Sequence, residues 1–365
     1  MTSDNGGATN REEVNRMKAL VYEAPLVMNV RDVERPTPGS GEVLLRVVYS
    51  GICGSELSGF LGQNSLRTPP LIFGHELSGV IAETGPETVG VEIGARVTVN
   101  PLVSCGRCEY CVTARHQLCR ERLLLGASLP GSNAEYVVVP AASLEPVPDG
   151  LELSDASMAE PAACAVHAVR LSGIRAGESA LVIGAGPIGL FVVQVLLAHG
   201  VTRVLVADRN PDRRRIAAGL GATVVRDGDV ELLADVRSET GGSGVRVAFD
   251  AAGTATTRTN CVAATAPGGK VMLIGLHTDQ TSLPVNTLIR GEVALHGVFA
   301  YNPAAFRTAL AWLAEGRLGL RDGVVEADLE DGLGWYQRLV DGHPATKVLL
   351  RPPNPVADHR VEVER

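Results

Sequence analysis

Residues 179–200 read SALVIGAGPIGLFVVQVLLAHG, and this stretch decides the fold prediction. A short apolar run leads into Gly184-Ala-Gly186-Pro-Ile-Gly189, which has the spacing G-x-G-x-x-G, and a long apolar segment follows directly. Strand, glycine loop and helix in this order are typical of a dinucleotide-binding βαβ unit, in which the helix N-terminus receives the pyrophosphate. Asp208 closes the next apolar run, VLVAD, 19 residues after Gly189. A ribose-binding carboxylate is expected at a spacing of about 20 residues.

The same unit predicts how the cofactor is bound. The glycines permit a tight turn and a close approach to the pyrophosphate, and the Asp208 carboxylate would accept hydrogen bonds from ribose hydroxyls. Because a carboxylate there repels a 2′-phosphate, we expect NAD. Arg209 could accommodate that phosphate, which keeps NADP as the alternative. The expected contacts are Gly184, Gly186, Pro187, Ile188, Gly189, Asp208 and Arg209.

Outward from this unit, the chain divides into segments of different pattern. From 156 to 302, short apolar strands alternate with helical segments, which predicts an α/β unit with a doubly wound parallel sheet. Residues 17–155 carry short β-branched runs separated by glycine and proline, a pattern typical of a β-rich, partly barrel-like domain. Residues 303–351 hold an amphipathic helix and a late strand, KVLLRP, that we expect to return to the first domain. Residues 1–16 are expected to be a disordered leader and 352–365 an irregular tail.

The composition excludes several classes of function. Of 365 residues, 45% are hydrophobic and 20% are charged, and 33 basic against 41 acidic side chains give a formal charge of −8. That charge disfavours a non-specific grip on nucleic acid or on an anionic membrane. No apolar run approaches the roughly 20 residues that cross a bilayer, and the polar N-terminus lacks the apolar core of a secretory signal. We therefore expect a cytoplasmic protein with no nucleic-acid or membrane partner.

The chain has seven cysteines, and an odd number favours metal or thiolate chemistry over a disulfide scaffold. Four lie in the lobe 104–120, spaced C-x2-C-x2-C-x7-C, close enough together to surround Zn²⁺ in a closed tetrahedron. Cys164 and Cys261 lie in apolar stretches and are expected to be core thiols. The predicted ligands of a structural zinc are Cys105, Cys108, Cys111 and Cys119.

A second metal site is predicted from dispersed residues. Cys53 follows a strand in GICGSE, His75 and Glu76 are adjacent in FGHELSG, and Glu160 lies in MAEPAAC ahead of the dinucleotide unit. Each residue alone has an ordinary explanation as a core or helix-end residue. Together they supply a thiolate, an imidazole and one or two carboxylates, the donor set of a catalytic zinc with an open position. The sequence leaves open which glutamate is the direct ligand.

With these motifs in this order, the chain resembles the zinc-dependent medium-chain dehydrogenases, the alcohol and polyol dehydrogenase family. The resemblance covers about residues 17–351 and rests on GHE, the four-cysteine lobe, AEYVVVP, the Glu-Pro pair at 160–161 and GAGPIG. The Glu-Pro form is most similar to the sorbitol and threonine dehydrogenase branch. The resemblance implies a GroES-like catalytic domain with a zinc lobe beside a Rossmann domain. It also implies two zinc ions per chain and a homodimer or homotetramer.

The resemblance further implies a reaction. A substrate hydroxyl would bind the catalytic zinc, its proton would pass to Ser55, two residues after Cys53, and hydride would pass to the nicotinamide. Three positions differ from the family's usual residues. Ser58 replaces a relay histidine, Gly59 an aromatic residue and Ala300 the polyol-binding arginine of sorbitol dehydrogenases. The expected catalytic residues are Ser55, Glu76 and Glu160.

These differences favour a hydroxyl-rich substrate other than sorbitol. The predicted reaction is hydride transfer between NAD and a secondary alcohol of a sugar alcohol, a cyclitol or a phosphorylated form of either. The alternatives are an NADPH-dependent ketone reductase, a threonine-type amino-alcohol dehydrogenase and a non-catalytic NAD-binding relative. The pocket residues expected by analogy are Ser58, Asn133 and Tyr301.

Overall fold

The computed structural model describes residues 16–353, so the predicted leader, apart from Arg16, and the predicted tail beyond residue 353 lie outside it. Within this range no helix is long and apolar enough to cross a bilayer. The strands β1 to β18, in chain order, are Arg16–Ala24, Val27–Glu34, Glu42–Gly51, Leu71–Ile72, Glu76–Thr84, Arg96–Val99, Leu102–Val103, Leu123–Leu124, Tyr136–Pro140, Leu144–Pro146, Ser179–Ile183, Arg203–Ala207, Thr223–Val224, Val245–Asp250, Thr265–Leu273, Ala294–Gly297, Val324–Asp328 and Lys347–Arg351. The helices α1 to α11 are Gly54–Phe60, Glu109–Val112, Leu153–Ala156, Ala159–Ser172, Pro187–Ala198, Pro211–Gly219, Asp229–Glu239, Ala255–Ala264, Val285–Gly291, Pro303–Ala314 and Gly332–Val340.

Strands β11 to β16 form a parallel sheet in the order β13-β12-β11-β14-β15-β16. The strand order reverses at β11, and ligands bind at the carboxyl ends of the strands at such a switch point. One face of the sheet packs against α4, α5 and α10, and the other against α7 and α8. Because both faces are covered, the central strands are apolar without alternation. The predicted doubly wound parallel sheet is confirmed.

The β-rich part contains a sheet in the order β10-β6-β5-β3-β18-β17, with β9 also paired to β3. Its strand pairs are antiparallel except for β17 with β18. Alternate apolar residues of β3, β5 and β9 fill its interior, including Val43, Leu45, Leu77 and Val137. The predicted GroES-like, β-rich domain is confirmed by this architecture.

The C-terminal segment contacts both sheets. β18 pairs with β3, so the late strand lies in the β-rich sheet. α10 instead packs along α4, and Phe306 and Ala309 lie in the core beside the parallel sheet. An amphipathic helix can bury its apolar face against either unit, and sequence periodicity does not select between them. The domain boundaries therefore stay a prediction.

Candidate active site

The four cysteines of the lobe 104–120 converge on one point. The Sγ–Sγ distances are 3.5 Å for Cys108–Cys111, 3.6 Å for Cys105–Cys119 and 3.9 Å for Cys105–Cys111. A tetrahedron with Zn–S bonds of about 2.3 Å has edges of about 3.8 Å, so the spacing suits a zinc ion. Disulfide sulfurs lie about 2 Å apart, and all four cysteines are free thiols.

Thiolate formation is easier at one of these cysteines than at another. Backbone N–H groups of Arg107 and Cys108 lower the pKa of Cys105 to about 7. Burial raises the pKa of Cys111 to about 11. Because a metal ion deprotonates the thiols that coordinate it, the buried Cys111 requires a metal to carry a negative charge at neutral pH.

A second group of donors lies where β3 and β5 run side by side. Cys53 caps the N-terminus of α1, directly after β3, and His75 precedes β5, whose first residue, Glu76, pairs with Gly51. One possible ligand atom each from Cys53, His75 and Glu76 lies within 4.8 Å of the others. A thiolate, an imidazole and a carboxylate so arranged suit zinc. The structure thus brings together three residues that the sequence separates.

The Glu56 carboxylate orients the His75 ring. Its Oε1 lies 2.7 Å from His75 Nδ1 and accepts a hydrogen bond from Gly74 N at 3.1 Å. With Nδ1 engaged, Nε2 is the nitrogen that can coordinate a metal. Burial opposes charge on His75, but the negative Cys53 and Glu56 raise its pKa to about 10. Burial likewise opposes the Cys53 thiolate, whereas the charge of His75 lowers its pKa to about 6.

A buried hydrogen-bond network supports Glu56 in turn. Tyr336 donates to Glu56 Oε2 at 2.6 Å, Asn133 Nδ2 donates to Tyr336 Oη at 3.0 Å, and Ser50 donates to Asn133 Oδ1 at 2.7 Å. Asn133 is fully buried in this network, and its contact with a substrate stays a prediction. Its amide is enclosed because it links two hydroxyl groups, a role that local sequence does not reveal.

Lys347 approaches the same cluster from β18. Its ammonium is in direct contact with Glu76 Oε2 and donates to Ile52 O at 2.9 Å. Burial lowers the pKa of Lys347 to about 8, although the negative Cys53 and Glu56 act in the opposite direction. Because Lys347 engages one oxygen of Glu76, the other oxygen is the one available to a metal.

Glu160, in the first turn of α4, lies beside the cluster without joining its closest donors. Burial raises the pKa of Glu160 to about 7, and the charge of His75 partly offsets this effect. Cys164 lies one turn further along α4, with its Sγ 3.9 Å from Glu160 Oε1. It is partly buried and packs against the core beside the parallel sheet, and Cys261 is fully buried, so both thiols lie with core residues.

Tyr301 also faces Glu160. Burial, and then the charge of Glu160, raise the pKa of Tyr301 well above its ordinary value. Its hydroxyl is enclosed and has no hydrogen bond of normal geometry to any residue in the range 16–353. Because the hydroxyl faces the Glu160 carboxylate beside the metal donors, it can bond that carboxylate or a bound ligand.

The two serines of α1 make different contacts. Ser55 Oγ lies 3.4 Å from Cys53 Sγ, to which it donates, and it accepts a hydrogen bond from Arg67 Nη2 at 3.2 Å. Ser58, one turn on, donates to the backbone carbonyl of Ser55 at 2.9 Å. Ser55 therefore presents a hydroxyl directly beside one of the metal donors, and Ser58 lies one turn further along the same helix.

The glycine loop lies at the carboxyl end of β11. A Cβ on Gly189 would lie 1.8 Å from Gly184 O, so close packing of helix on strand requires glycine there. Gly186 caps the N-terminus of α5 with no side-chain cap, and a Cβ placed on it would contact nothing within 4 Å. The loop thus offers unpaired N–H groups beside open space, which suits a pyrophosphate.

The predicted ribose carboxylate lies at this loop. Asp208 Oδ2 accepts a hydrogen bond from Ala185 N at 2.6 Å, and Oδ1 accepts one from Asn210 N at 2.7 Å. Arg209 is exposed directly beyond it, and the backbone carbonyls of Asp208 and Arg209 both accept hydrogen bonds from Arg214 Nη1. Asp208 and Arg209 therefore both lie directly after β12, beside the glycine loop.

Sequence reasoning did not assign roles to Arg67, Tyr336 or Lys347. Lys347 had a compositional signal, because only three lysines stand among the 33 basic residues of the chain. Arg67 and Tyr336 had none. They lie in a loop and in a late helix, and only the fold brings them to α1.

Comparison with known proteins gives two family matches. Residues 39–149 match the family described as "Alcohol dehydrogenase GroES-like domain", and residues 187–315 match "Zinc-binding dehydrogenase". The first match contains the four-cysteine lobe together with Cys53, His75 and Glu76, and the second begins within the glycine loop.

Curated relatives match over most of their length. The chain is 31% identical to a 2-dehydro-3-deoxy-L-galactonate 5-dehydrogenase of Pseudoalteromonas atlantica, over 90% of this chain and 96% of the relative. It is 32% identical to a D-arabitol-phosphate dehydrogenase of Enterococcus avium, over 85% and 90%. It is 35% identical to an L-threonine 3-dehydrogenase of Pyrococcus furiosus, over 73% and 77%.

A solved structure shares the whole architecture. An alcohol dehydrogenase from Escherichia coli, crystallised with NADH, superposes with a TM-score of 0.84 at 29% identity. The match covers 92% of this chain and 99% of that one.

Proposed function

Because this chain belongs to the zinc-dependent medium-chain dehydrogenase family, we propose that it binds one catalytic and one structural zinc ion and oxidises a polyol-like secondary alcohol with NAD. Its reaction class is the oxidoreduction of CH–OH groups, as in its polyol and sugar-acid dehydrogenase relatives. The observation that carries the proposal is the convergence of Cys53, His75 and Glu76 within 4.8 Å.

The residues around this cluster suit a catalytic metal. Cys53, His75 and one of the two glutamates, Glu76 or Glu160, would be the zinc ligands. Zinc bound there would supply a Lewis acid for a substrate hydroxyl, and a bound nicotinamide would accept the hydride. Glu76 is the better-placed glutamate in this arrangement, since it lies among the closest donors.

The proton of the alcohol needs an acceptor near the metal donors. Ser55 Oγ is 3.4 Å from Cys53 Sγ, and its hydroxyl can accept a proton from the substrate as it passes its own proton onward. Glu56 and Tyr336 keep the His75 ring fixed during this step. With serine at position 58, water is the acceptor we propose beyond Ser55.

The cofactor is held by the glycine loop and by the strand that follows. Gly184, Gly186 and Gly189 would bind the pyrophosphate at the N-terminus of α5, and Asp208 would bind the adenosine ribose. A carboxylate at that position supports NAD over NADP. Zinc and a nicotinamide cofactor are common to this family. What the proposal adds is the number of zinc ions, two per chain, and a cofactor without a 2′-phosphate, NAD.

An amino alcohol is the second candidate substrate, favoured by the 35% identity to an L-threonine 3-dehydrogenase. A substrate panel separates the candidates: sugar alcohols, sugar acids, cyclitols and L-threonine, each tested with NAD and NADP by nicotinamide absorbance. We expect turnover of a polyol or sugar acid with NAD, and loss of at least 1000-fold in the Cys53→Ser variant (order of magnitude). Turnover of L-threonine alone, or unchanged activity in the variant, would contradict the proposal.

A further inference from the structure

Arg67 is a buried cation beside the metal donors. The residue is 4% exposed, and its Nη2 donates to Ser55 Oγ at 3.2 Å. Its Nε is enclosed and has no hydrogen-bond partner. No carboxylate of residues 16–353 lies within ion-pair distance of its guanidinium, which presents five N–H donors in a planar fork. Most of its hydrogen-bonding capacity is therefore unused.

The nearby buried carboxylate, Glu56, is occupied elsewhere. Its Oε1 contacts His75 and the backbone N–H of Gly74, and its Oε2 accepts from Tyr336. Arg67 affects Glu56 only through space, as one of the charges that hold the Glu56 pKa low, behind the larger effects of burial and His75. The guanidinium thus lacks the bidentate partner that buried arginines normally have.

The Arg67 side chain occupies space left free by a glycine. A Cβ on Gly59 would lie 2.5 Å from Arg67 Cδ, so the arginine stem occupies the space of the side chain that Gly59 lacks. The guanidinium carbon lies 5.7 Å from the centroid of the Phe73 ring. Glycine, arginine and phenylalanine together fix the cation at the edge of the site, next to the hydroxyl of Ser55.

We propose that Arg67 binds an anionic group of the substrate, so that the substrate is an anionic polyol carrying a carboxylate or a phosphate. This inference rests on the proposed function, because the alcohol that reacts must lie at the neighbouring metal donors. Carboxylate and phosphate both match the planar fork of a guanidinium through two parallel hydrogen bonds. Because Arg67 Nη2 lies 3.2 Å from Ser55 Oγ, an anionic group at the guanidinium and a reacting hydroxyl beside Ser55 can belong to one molecule.

Kinetics on matched substrate pairs test this assignment. L-Iditol is compared with L-idonate, and D-arabitol with D-arabitol phosphate, in the zinc-loaded wild-type enzyme and in Arg67→Met and Arg67→Lys. We expect wild-type kcat/KM to favour an anionic member by at least tenfold. Arg67→Met should lower kcat/KM for that anion at least tenfold more than for its neutral partner, mainly through KM, because the lost hydrogen bond to Ser55 affects both members of a pair alike. Arg67→Lys should restore part of the loss.

The control is Arg338→Met, since Arg338 also lies over an aromatic ring, 4.8 Å from the Trp335 centroid, but is exposed. It should change neither substrate class. Equal losses for neutral and anionic substrates in Arg67→Met would overturn the proposal and make Arg67 a positioning residue for Ser55. A wild-type preference for the neutral members would overturn it as well.

Ligand binding separates failure of this inference from failure of the proposed function. The melting temperature is measured with each of the four compounds, whether or not any is turned over. One outcome would support the anion site and contradict the proposed reaction. In that outcome no compound is turned over, but an anion stabilises the wild type more than its neutral partner does and fails to stabilise Arg67→Met. If the anions and neutral compounds stabilise both proteins equally, the anion site falls.

Discussion

The Lys347 ammonium and the Glu76 carboxylate are in direct contact, and both side chains are at most 2% exposed. The two residues lie on β5 and β18, which flank β3 in the β-rich sheet, and the Lys347 ammonium also donates to Ile52 O. A buried pair of this kind adds little net stability, but removing one partner leaves the other charged in a dry environment. The pair therefore fixes one oxygen of Glu76, a predicted metal ligand. Because Lys347 is on β18, the position of that ligand depends on the correct placement of β18.

Lys347→Met should destabilise the protein by about 3–5 kcal/mol, because the Glu76 charge then lacks its partner. Urea unfolding monitored by circular dichroism measures the change. The matched control is Lys18→Met, because Lys18 forms an ion pair with Asp32 on the surface, where side chains are 43% and 54% exposed. The control should cost no more than about 1 kcal/mol. Equal losses in the two variants would show that burial of the Lys347 pair has no special effect.

Tyr336→Phe should weaken zinc binding at the Cys53 cluster by about 10-fold, with a corresponding loss of activity at limiting zinc. The variant removes the 2.6 Å hydrogen bond to Glu56, which orients the ligand His75, while the aromatic packing is kept. Competition with a chromophoric chelator measures the affinity. Tyr49→Phe is the control, since its hydroxyl donates to the exposed Glu326 at 3.2 Å, away from the Cys53 cluster. Unchanged zinc affinity in Tyr336→Phe would exclude this support role.

Parts of this site could be predicted from the sequence because their residues are close along the chain or have a fixed spacing. The glycine loop and the cysteine lobe are local, since 23 residues separate Ala185 from Asp208 and 14 separate Cys105 from Cys119. Tyr336 meets Glu56 across 280 positions, and Lys347 meets Ile52 across 295. The packing of α11 on α1 creates the first contact, and the pairing of β18 with β3 creates the second. The enclosure of the Asn133 amide was equally beyond prediction, because a polar residue in a loop gives no sign that it will be buried.

The two proposed zinc ions should be lost separately. Cys111→Ser should reduce the zinc content from two ions per chain to one and lower the melting temperature, because a closed structural site contributes directly to folding. Cys53→Ser should also retain one ion but abolish activity with a smaller effect on melting. Elemental analysis and calorimetry on the purified variants make the comparison. Two zinc ions in either variant would contradict the assigned ligands.

Asp208→Ala should raise the KM for NAD by about tenfold, since the carboxylate binds ribose hydroxyls. It should also reduce the ratio of kcat/KM for NAD to kcat/KM for NADP, since the carboxylate repels a 2′-phosphate. Titration of both cofactors at saturating substrate measures the two constants. Asp212→Asn is the control, because Asp212 is exposed on α6 and pairs with Arg215. A wild-type preference for NADP would instead assign the phosphate to Arg209 and refute the interpretation of Asp208.

His167 should make the stability of the protein sensitive to acid. It lies on α4, two turns after Glu160, and its Nε2 is 3.3 Å from Nε2 of Gln117 in the cysteine lobe. Burial, followed by the positive charges of Arg170 and His296, lowers the pKa of His167 to about 4. An unfolded histidine has a pKa of about 6.5, so between these values the unfolded state binds more protons than the folded state. Stability is therefore complete above pH 6.5 and falls as the pH drops towards 4.

His167→Gln keeps a hydrogen-bonding side chain beside Gln117 but cannot titrate. Between pH 7 and pH 5, the wild type should lose about 2 kcal/mol more stability than this variant, which is the proton linkage of one group with these two pKa values. Urea midpoints at both pH values measure the difference, and other titrating groups cancel because the two proteins share them. His277→Gln, at an exposed position, should follow the wild type. The contradicting outcome is that both variants lose the same free energy of unfolding as the wild type between pH 7 and pH 5. In that case, protonation of the His167 imidazole beside Gln117 does not destabilise the folded state.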